Sequence, residues 1–291
     1  MCEMKNLLIF GVGLIGGSIA LKVKKDTIFD RVVGMGRDKG RPLDSFVKNG
    51  MLDEVAKNIG EAISSADLIV IAAPVAQTRS ILKNIHPYLP VDCLITDVGS
   101  TKSNVMLDAK EILGEKFNQF IGSHPIAGSE KHGPEAADAH LFEGKNIVIT
   151  PHEKTNKQQI ELLEKFWLSM GGIVSTMNPS QHDEIFSTVS HLPHLLAFAL
   201  VNLINNKKSK DQLLEFAASG FRDFSRIAAS SPEVWRDISL ANKKAVVSDL
   251  KLYQKEIVRL IRLIDEKQTD ELNDYLSEAS ITRSEWIESK K

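Results

Sequence analysis

The chain has few cysteines, little net charge and no long apolar run. Its 291 residues include only Cys2 and Cys93, which cannot form a disulfide framework, so we expect a reducing compartment. A formal net charge of −2 gives no general reason to expect a nucleic acid or an anionic membrane as partner. No apolar run approaches the roughly 20 residues of a membrane-spanning helix, and the N-terminus shows no signal-peptide pattern. These absences predict a cytoplasmic protein.

What the sequence does contain is a regular alternation of strand and helix patterns through its first 175 residues. Several strand-like runs are apolar without alternation, which is typical of parallel strands covered by helices on both faces. The runs are Leu7–Phe10, Arg31–Met35, Asp67–Ala72, Cys93–Thr96, Phe120–Ile121, Asn146–Thr150 and Gly172–Ser175. They predict an α/β fold with a Rossmann-type, doubly wound sheet at residues 1–177.

The remainder, residues 178–291, is predicted to be an all-α domain. Helical segments are indicated at His182–Ile204, Asp211–Ser219 and Pro232–Glu266, whereas the polar tail Lys267–Lys291 is expected to fray. Apolar side chains in the third segment recur at spacings of four and three: Val246, Leu250, Tyr253, Ile257, Leu260 and Ile264. Such a seam suits either an internal core helix or a second subunit. We expect a homodimer built through this domain.

A glycine-rich turn follows the first predicted strand. Gly11, Gly13 and Gly16 have the spacing G-x-G-x-x-G and run directly into a helix pattern that begins at Leu14 and Ile15. The first glycine permits the tight turn, the second lets a pyrophosphate approach the backbone, and the third lets the helix pack on the sheet. The helix N-terminus offers unpaired N–H groups to the phosphates. This pattern predicts a dinucleotide-binding βαβ unit.

The end of the second predicted strand bears on the choice of cofactor. The acidic residue that holds the ribose 2′-hydroxyl in NAD-binding folds would fall near Gly36, where no carboxylate is present. Arg37 follows, with Lys39 and Arg41 nearby, and a guanidinium can bind a 2′-phosphate with two hydrogen bonds. NADP is therefore favoured. NAD is the alternative, with Asp38 holding the hydroxyl.

Two polar stretches follow later predicted strands, at the sheet edge where open α/β folds bind ligands. His124 lies between glycine and proline in a stretch that is too irregular to serve packing alone. A neutral histidine there could accept the proton of a substrate hydroxyl while hydride leaves the same carbon. Ser100, after the neighbouring strand, could orient this imidazole or contact the substrate or cofactor. Its alternative role is the N-cap of a helix that begins at Thr101.

The first helix of the predicted α domain carries a polar stripe on a largely apolar surface. With 100° per residue, Asp183, Ser187, Ser190 and His194 fall within about 60° of one another, with His191 on the flank. Buried polar groups need partners, so we expect this stripe to contact substrate or cofactor unless it satisfies itself. His191 and His194 lack a third ligand of matching spacing, so no metal site is expected.

A third stretch, Gly220–Ala228, contains a cluster of charges. In a helix Arg226 would lie close to both Asp223 and Arg222. A cluster with one arginine in excess can bind a substrate carboxylate with two hydrogen bonds. The alternative is a network of ion pairs on the surface.

Taken together, these stretches resemble the prephenate and arogenate dehydrogenase family of tyrosine biosynthesis. The segments that carry the resemblance are Gly11–Ser18, Asp97–Lys102, Gly122–Glu130, Ser190–His194 and Gly220–Ala228, followed by Pro232 and Trp235–Ile238. They span nearly the whole chain in the order of the family, and several are specific to it.

The resemblance implies an oxidative decarboxylation of a cyclohexadienol with hydride transfer to NAD or NADP. By similarity, His124 deprotonates or polarises the hydroxyl with help from Ser100, and Arg226 anchors the carboxylate while Asp223 holds it in place. His194 and Ser190 would line the pocket. Its far side would be shaped by Glu130 and Trp235, and Ser129 would also bind the substrate. The family also implies a dimer through the helical domain and, in many members, inhibition by tyrosine.

The sequence is compatible with two substrates and with two rival functions. No residue decides between the pyruvyl side chain of prephenate and the alanyl side chain of arogenate. One rival is a β-hydroxyacid dehydrogenase-like reductase, although the lysine that such enzymes carry on a helix, with an asparagine four residues before it, is not found near the start of the helical domain. Another is a non-catalytic dinucleotide sensor, which would need the glycine turn but not His124, Ser100 and Arg226.

Overall fold

A computed structural model describes residues 4–36, 43–128 and 133–290 of the chain. Its backbone contacts divide the chain into two compact units, Met1–Lys243 and Lys244–Lys291. This geometric division falls later than the predicted boundary between residues 177 and 178, because the first helices after residue 178 belong to the larger unit. The boundary at residue 177, between a dinucleotide-binding domain and a helical domain, stays a prediction.

The first unit contains a five-stranded parallel sheet with the order β3-β2-β1-β4-β5. Its strands are β1 Asn6–Phe10, β2 Arg31–Met35, β3 Glu54–Val55, β4 Leu68–Ile71 and β5 Leu94–Asp97. Successive residues of β1 alternate between two hydrophobic cores: Leu7 and Ile9 pack into one, Leu8 and Phe10 into the other. A sheet with an apolar core on each face is the doubly wound architecture that the sequence predicts. The fold class is confirmed.

Three further strands extend this arrangement: β6 Gly122–Pro125, β7 Asn146–Thr150 and β8 Ile173–Thr176. They form a second sheet, in which β6 is antiparallel to β7 and β7 is parallel to β8. A single parallel bridge between Ile95 and Phe120 joins it to β5. The prediction of a strand at Phe120–Ile121 was therefore two residues early. Glycine, serine, histidine and proline are weak strand formers, and tertiary pairing imposes β6 on them.

Helices surround the sheets and continue beyond them. Those of the α/β part are α1 Leu14–Asp26, α2 Asp44–Lys48, α3 Ile59–Ser64, α4 Thr78–Ile85, α5 Ser103–Leu113 and α6 Lys157–Ser169. Those that follow within the first unit are α7 Pro179–Phe186, α8 Leu192–Asn205, α9 Lys210–Glu215, α10 Ser219–Ser225 and α11 Pro232–Ala241. The predicted change from strands to helices near residue 178 is observed.

One turn of π-helix, Ser187–His191, joins α7 to α8 into a continuous segment. This segment, Pro179–Asn205, is long and apolar enough to cross a membrane by length and composition alone, because it contains an 18-residue window with a mean hydropathy of 1.4. The expectation that no run approaches that length was therefore wrong on this measure.

The second unit is formed by α12 Lys243–Asp265 and α13 Thr269–Glu288. The α12 seam is only partly covered: Leu250, Tyr253 and Ile257 are 36 to 39% exposed. The prediction that the tail frays was wrong, because α13 is a regular helix. Two acidic residues in its first turn, Asp270 and Glu271, favour its N-terminus. The Arg259 guanidinium lies 5.0 Å from the ring centre of Tyr275, which ties the two helices together.

Candidate active site

The glycine turn after β1 has the geometry that a dinucleotide requires. Gly11 has a φ of +92°, and a side-chain carbon there would lie 2.7 Å from the carbonyl oxygen of Ala72, just after β4. A carbon on Gly16 would lie 2.0 Å from the carbonyl oxygen of Gly11. Gly13 is different, since a carbon there would meet nothing within 4 Å. The backbone is therefore crowded at Gly11 and Gly16 and open at Gly13.

Helix α1 begins in this opening, at Leu14 and Ile15. Gly13 occupies its N-cap position without a side-chain cap, and its first turn holds no acidic residue. The unpaired N–H groups and the positive end of the helix dipole therefore meet no carboxylate of that turn. Because the sheet order reverses between β1 and β4, this is the crevice where such folds bind their cofactors.

Most of the predicted 2′-phosphate site lies outside the described residues. Gly36 follows β2 and is exposed, but Arg37, Asp38, Lys39 and Arg41 lie outside the described residues. The same holds for Ser129 and Glu130.

His124 lies inside β6, where its backbone pairs with Val148 of β7. The expectation that it follows a strand in an irregular stretch was wrong. The residue is 9% exposed and packs against Phe186 of α7, with ring centres 4.8 Å apart. A regular strand buried on this scale holds the imidazole in one orientation.

A chain of hydrogen bonds fixes the protons of this imidazole. His124 Nδ1 lies 2.8 Å from His182 Nε2, and His182 Nδ1 lies 2.8 Å from Asp183 Oδ1. Because a carboxylate only accepts, His182 donates from Nδ1 and must accept at Nε2. His124 therefore donates from Nδ1. The lone pair of His124 Nε2 is left to accept a proton.

The ionisation of this chain fits that assignment. Burial lowers the pKa of His124 well below its ordinary value of 6.5. The charge of Lys102, and the charges that His182 and His191 would carry when protonated, lower it further. Burial lowers the pKa of His182 as well, against the opposing effect of Asp183. Burial alone would raise the pKa of Asp183, but its hydrogen bonds outweigh this and leave the pKa below 3.8. At neutral pH the hydrogen-bonded chain therefore consists of two neutral imidazoles, those of His124 and His182, and the ionised carboxylate of Asp183.

Asp183 also joins two parts of the fold. Its carboxylate accepts from the backbone N–H groups of Lys102, at 2.8 Å, and Ser103, at 2.9 Å. It thereby caps α5 from a helix about 80 residues away in sequence. No side chain at the N-cap position of α5 does so. The alternative role of Ser100, as the N-cap of a helix that begins at Thr101, is therefore wrong.

Ser100 lies three residues beyond β5 and is half-buried. Its backbone interacts with His191, which raises the pKa of that histidine in opposition to burial; the net result is a pKa of about 4. The structure thus brings the Ser100 loop against the π turn that follows α7.

The predicted polar stripe on this helix is divided in two. The prediction assumed a uniform α-helix, whereas the π turn shifts the phase of every residue after it. Asp183, Ser187 and His191 are all buried on one side, and the amide of Asn242 donates to the Asp183 carbonyl at 2.7 Å. Ser187 Oγ and His191 Nε2 are buried and have no hydrogen-bond partner in the described residues.

Ser190 and His194 form the other half of the divided stripe. His194 Nδ1 donates to the Ser190 carbonyl at 2.9 Å, and its ring stacks on Trp235 of α11, with centres 3.7 Å apart. Burial lowers the pKa of His194, and the charge of Arg226 lowers it further. The structure thus brings together four residues that the sequence predicted to line one pocket: Ser190, His194, Arg226 and Trp235.

The charged cluster is only partly as predicted. Arg226 is exposed and begins the 3₁₀ turn Arg226–Ala229, directly after α10. Asp223 pairs with Arg222, with Nε and Oδ1 3.8 Å apart, and both side chains are more than 75% exposed. The predicted role of Asp223, to hold Arg226, stays a prediction.

Sequence reasoning missed three buried residues around His124. They are His182, Lys102 and Asp97. A signal was present for the first, because the pair His182–Asp183 opens a largely apolar helix. For Lys102 and Asp97 the polar stretch after β5 was recognised, but its charged residues were not assigned a role. Within the described ranges, no three His, Cys, Asp or Glu residues are placed to hold a metal ion.

Comparison with protein families gives two adjoining matches. The family model "Prephenate dehydrogenase, nucleotide-binding domain" matches residues 19–176, and "Prephenate dehydrogenase, dimerization domain" matches residues 178–278.

Individual relatives match over nearly the whole chain. Prephenate dehydrogenase of Bacillus subtilis (strain 168) is 37% identical and covers 96% of this chain and 76% of its own length. Cyclohexadienyl dehydrogenase of Zymomonas mobilis is 31% identical, with 97% and 96% covered. The crystal structure of A. aeolicus prephenate dehydrogenase with hydroxyphenyl propionate and NAD+ superposes with a TM-score of 0.90. It is 37% identical, covering 97% of this chain and 98% of its own.

Proposed function

The chain belongs to the prephenate dehydrogenase family, and we propose that it oxidatively decarboxylates prephenate, arogenate or both, with hydride transfer to NAD+ or NADP+. The observation that supports this function most is the hydrogen-bonded chain from Asp183 through His182 to His124. It leaves one lone pair, on Nε2, as a general base. A protein that only binds the dinucleotide transfers no proton and does not need a general base.

The cofactor is assigned to the glycine turn and the start of α1. Gly11, Gly13 and Gly16, with the N–H groups that open the helix at Leu14 and Ile15, suit a pyrophosphate, because the backbone is open at Gly13. Ser100 lies after β5, on the same edge of the sheet. When bound, the nicotinamide accepts the hydride.

His124 acts on the hydroxyl of the substrate. Nε2 accepts the hydroxyl proton as the C–O bond becomes a carbonyl and hydride leaves the same carbon. The imidazolium that forms keeps its Nδ1 proton directed at His182, and the Asp183 carboxylate stabilises the positive charge through that ring. Burial strengthens these interactions because water does not screen them.

Loss of carbon dioxide follows from the same oxidation. The new carbonyl lies opposite the ring carboxylate, so the bond between that carboxylate and the ring breaks toward the carbonyl. Its electron pair enters the ring, which becomes aromatic, and the carbonyl oxygen takes a proton to become a phenol. The products are 4-hydroxyphenylpyruvate from prephenate or tyrosine from arogenate, together with carbon dioxide and reduced cofactor.

Arg226 anchors a substrate carboxylate at the other end of the site. A guanidinium binds a carboxylate with two parallel hydrogen bonds, and the exposed position of Arg226 makes it accessible to an incoming ligand. His194, stacked on Trp235, and Ser190 line the space nearby. Asp223, Ser129 and Glu130 complete the proposed substrate site.

The proposed enzyme is a cytoplasmic homodimer. The partly exposed seam of α12 suits a second copy, and so does the family's dimerization domain at residues 178–278. We keep residues 1–177 as the dinucleotide-binding domain and 178–291 as the helical domain. Inhibition by tyrosine at the active site is part of the proposal.

A two-by-two kinetic comparison tests this function and its two open choices. Reduction of NAD+ and of NADP+ is followed at 340 nm with prephenate and with arogenate. We expect turnover in at least one combination, with NADP+ preferred because Arg37 and its basic neighbours replace the usual acid. Arg37→Ala should then raise the KM for NADP+ more than that for NAD+.

The competing functions give different results. A dinucleotide sensor would bind cofactor, seen as a change in protein fluorescence, yet reduce none with either substrate. A β-hydroxyacid dehydrogenase-like enzyme would reduce cofactor only with small 2- or 3-hydroxy acids. Either outcome would contradict the proposal.

A further inference from the structure

A fully buried ion pair lies directly behind His124. The ammonium of Lys102 is bonded to the Asp97 carboxylate, and both side chains are at most 1% exposed. Lys102 therefore cannot touch the substrate. Removing two charges from water is costly, and a buried ion pair is on these grounds weak evidence for stability.

Both members of the pair bind the backbone of Ser123. Lys102 Nζ donates to the Ser123 carbonyl oxygen at 2.7 Å, and Asp97 Oδ1 accepts from the Ser123 N–H at 3.3 Å. One ion pair thus holds both backbone groups of the residue that precedes His124. Asp97 is itself fixed, because its Oδ2 accepts from the Gly99 N–H at 2.8 Å.

The Ser123 side chain is held as well. Its Oγ lies 2.6 Å from Thr96 Oγ1 and 3.0 Å from Trp167 Nε1, and all three residues are fully buried. The neighbouring backbone leaves no room for adjustment: a side-chain carbon on Gly122 would lie 2.6 Å from Thr150 Oγ1. Every polar group of Ser123 is therefore bonded to another element of the fold.

We propose that Lys102 and Asp97 are positioning residues, which set the backbone of Ser123 so that the His124 imidazole stays in line with His182 and with the substrate hydroxyl. This inference rests on the proposed function, since it assigns His124 as the base. An apolar pair would fill the same volume without holding either backbone group of Ser123. A displacement of about 1 Å at a reacting group can reduce turnover about 100-fold, so such control has a large effect.

The pair has a second effect, on the charge around His124. The titratable groups that act on this imidazole are His182 of α7, His191 of the π turn and Lys102 of the loop after β5. Asp97, which is bonded to Lys102, acts on the neighbouring His182, and Phe186 and the backbone of Val148 are uncharged. Lys102 lowers the pKa of His124 even within the pair, in which Asp97 balances its charge. Loss of Lys102 alone leaves a buried carboxylate, which favours the imidazolium and raises the pKa of His124.

Three variants separate positioning from stability. Lys102→Met leaves Asp97 unpaired, and the double variant Asp97→Asn with Lys102→Met removes both charges. Gln119→Met is the matched control. Gln119 lies three residues before β6, is also buried, and donates to two backbone carbonyls, those of Pro90 and Cys93. Each variant is measured for kcat, KM, melting temperature and the pH titration of the His124 imidazole by NMR.

We expect the double variant to fold and bind cofactor, with kcat reduced about 10- to 100-fold and KM changed much less. In Lys102→Met the titration of His124 and the acid limb of kcat/KM should move to higher pH, and both should return toward the wild type in the double variant. Gln119→Met should lose stability but keep its kcat.

Other results would overturn the inference. A double variant with normal kcat would show that the pair does not position His124. One that does not fold, or a Gln119→Met variant with an equal loss of kcat, would assign the pair to stability alone. The NMR titration needs no substrate, so unchanged titration in Lys102→Met counts against the electrostatic effect even if the wild type proves inactive on prephenate and arogenate.

Discussion

The two ends of the proposed site are built in opposite ways. His124 lies in a strand, is buried, and is bonded through His182 to Asp183. Arg226 is exposed and begins a short 3₁₀ turn. The proton-transfer end, at His124, is thus buried and fixed by hydrogen bonds before substrate binds, whereas the carboxylate-binding end, at Arg226, is exposed to solvent.

This difference follows from what each end must do. A general base works only when its lone pair points at one atom, which demands a fixed ring and a fixed tautomer. A carboxylate anchor must first capture a charged ligand from water, which an exposed guanidinium does. We therefore expect changes at the buried end to reduce kcat, and changes at the open end to raise KM.

The largest effect is expected at His124 itself. His124→Asn removes the proton acceptor while it keeps a polar side chain of similar reach, so kcat should fall about 10²- to 10⁴-fold. The dissociation constant of the cofactor, measured by fluorescence titration, should change little. Normal turnover in this variant would end the assignment of His124 as the base.

The buried end should also make the protein sensitive to acid. His191 has a pKa of about 4 when folded and about 6.5 when unfolded, so the unfolded state binds the extra proton between these values. Stability should therefore be complete above pH 6.5 and fall as the pH drops toward 4, by about 3 kcal/mol for this residue. Urea unfolding at pH 7 and pH 4.5 measures the change, and His191→Asn should reduce it. If His191→Asn lost as much stability as the wild type between pH 7 and pH 4.5, the assignment of this acid sensitivity to His191 would be contradicted.

A smaller effect is expected one step along the hydrogen-bonded chain. His182→Asn removes the acceptor of the His124 Nδ1 proton and separates the imidazolium from Asp183. The loss of one hydrogen bond to a charged group, worth about 1.5 to 3 kcal/mol, corresponds to a reduction in kcat of about 10- to 100-fold. Steady-state kinetics should show KM nearly unchanged. A rise in KM without a fall in kcat would place His182 at the open end instead.

The smallest effect is expected at Arg226, because solvent reaches this side chain. Arg226→Ala should raise the KM for the substrate about tenfold, with a lesser change in kcat. Arg222→Ala is the control, since its side chain is 80% exposed and only one turn away. Equal effects in the two variants would mean that general surface charge, and not a specific anchor, attracts the substrate.

The sequence predicts the parts of this molecule that depend on local patterns. The glycine turn is visible in the spacing of Gly11, Gly13 and Gly16, and the alternation of strands with helices and the change to helices near residue 178 are visible in the spacing of apolar residues. What it does not predict depends on contacts between distant segments. The strand at His124 exists because β7 pairs with it, and the cap of α5 comes from Asp183.

The polar stripe shows the same limit in one helix. Its predicted alignment assumed 3.6 residues per turn throughout, and the π turn at Ser187–His191 breaks that period. As a result Asp183 joins the buried end of the site, whereas His194 stacks on Trp235 near Arg226. The helix serves both ends because its period changes between them.

The proposed geometry of the site is tested most directly by a crystal structure of the enzyme with oxidised cofactor and 4-hydroxyphenylpyruvate. We expect His124 Nε2 to lie within about 3.2 Å of the phenolic oxygen, with the carboxylate of the side chain on Arg226. A phenolic oxygen bound at Arg226, or an imidazole of His124 that does not contact the ligand, would contradict it.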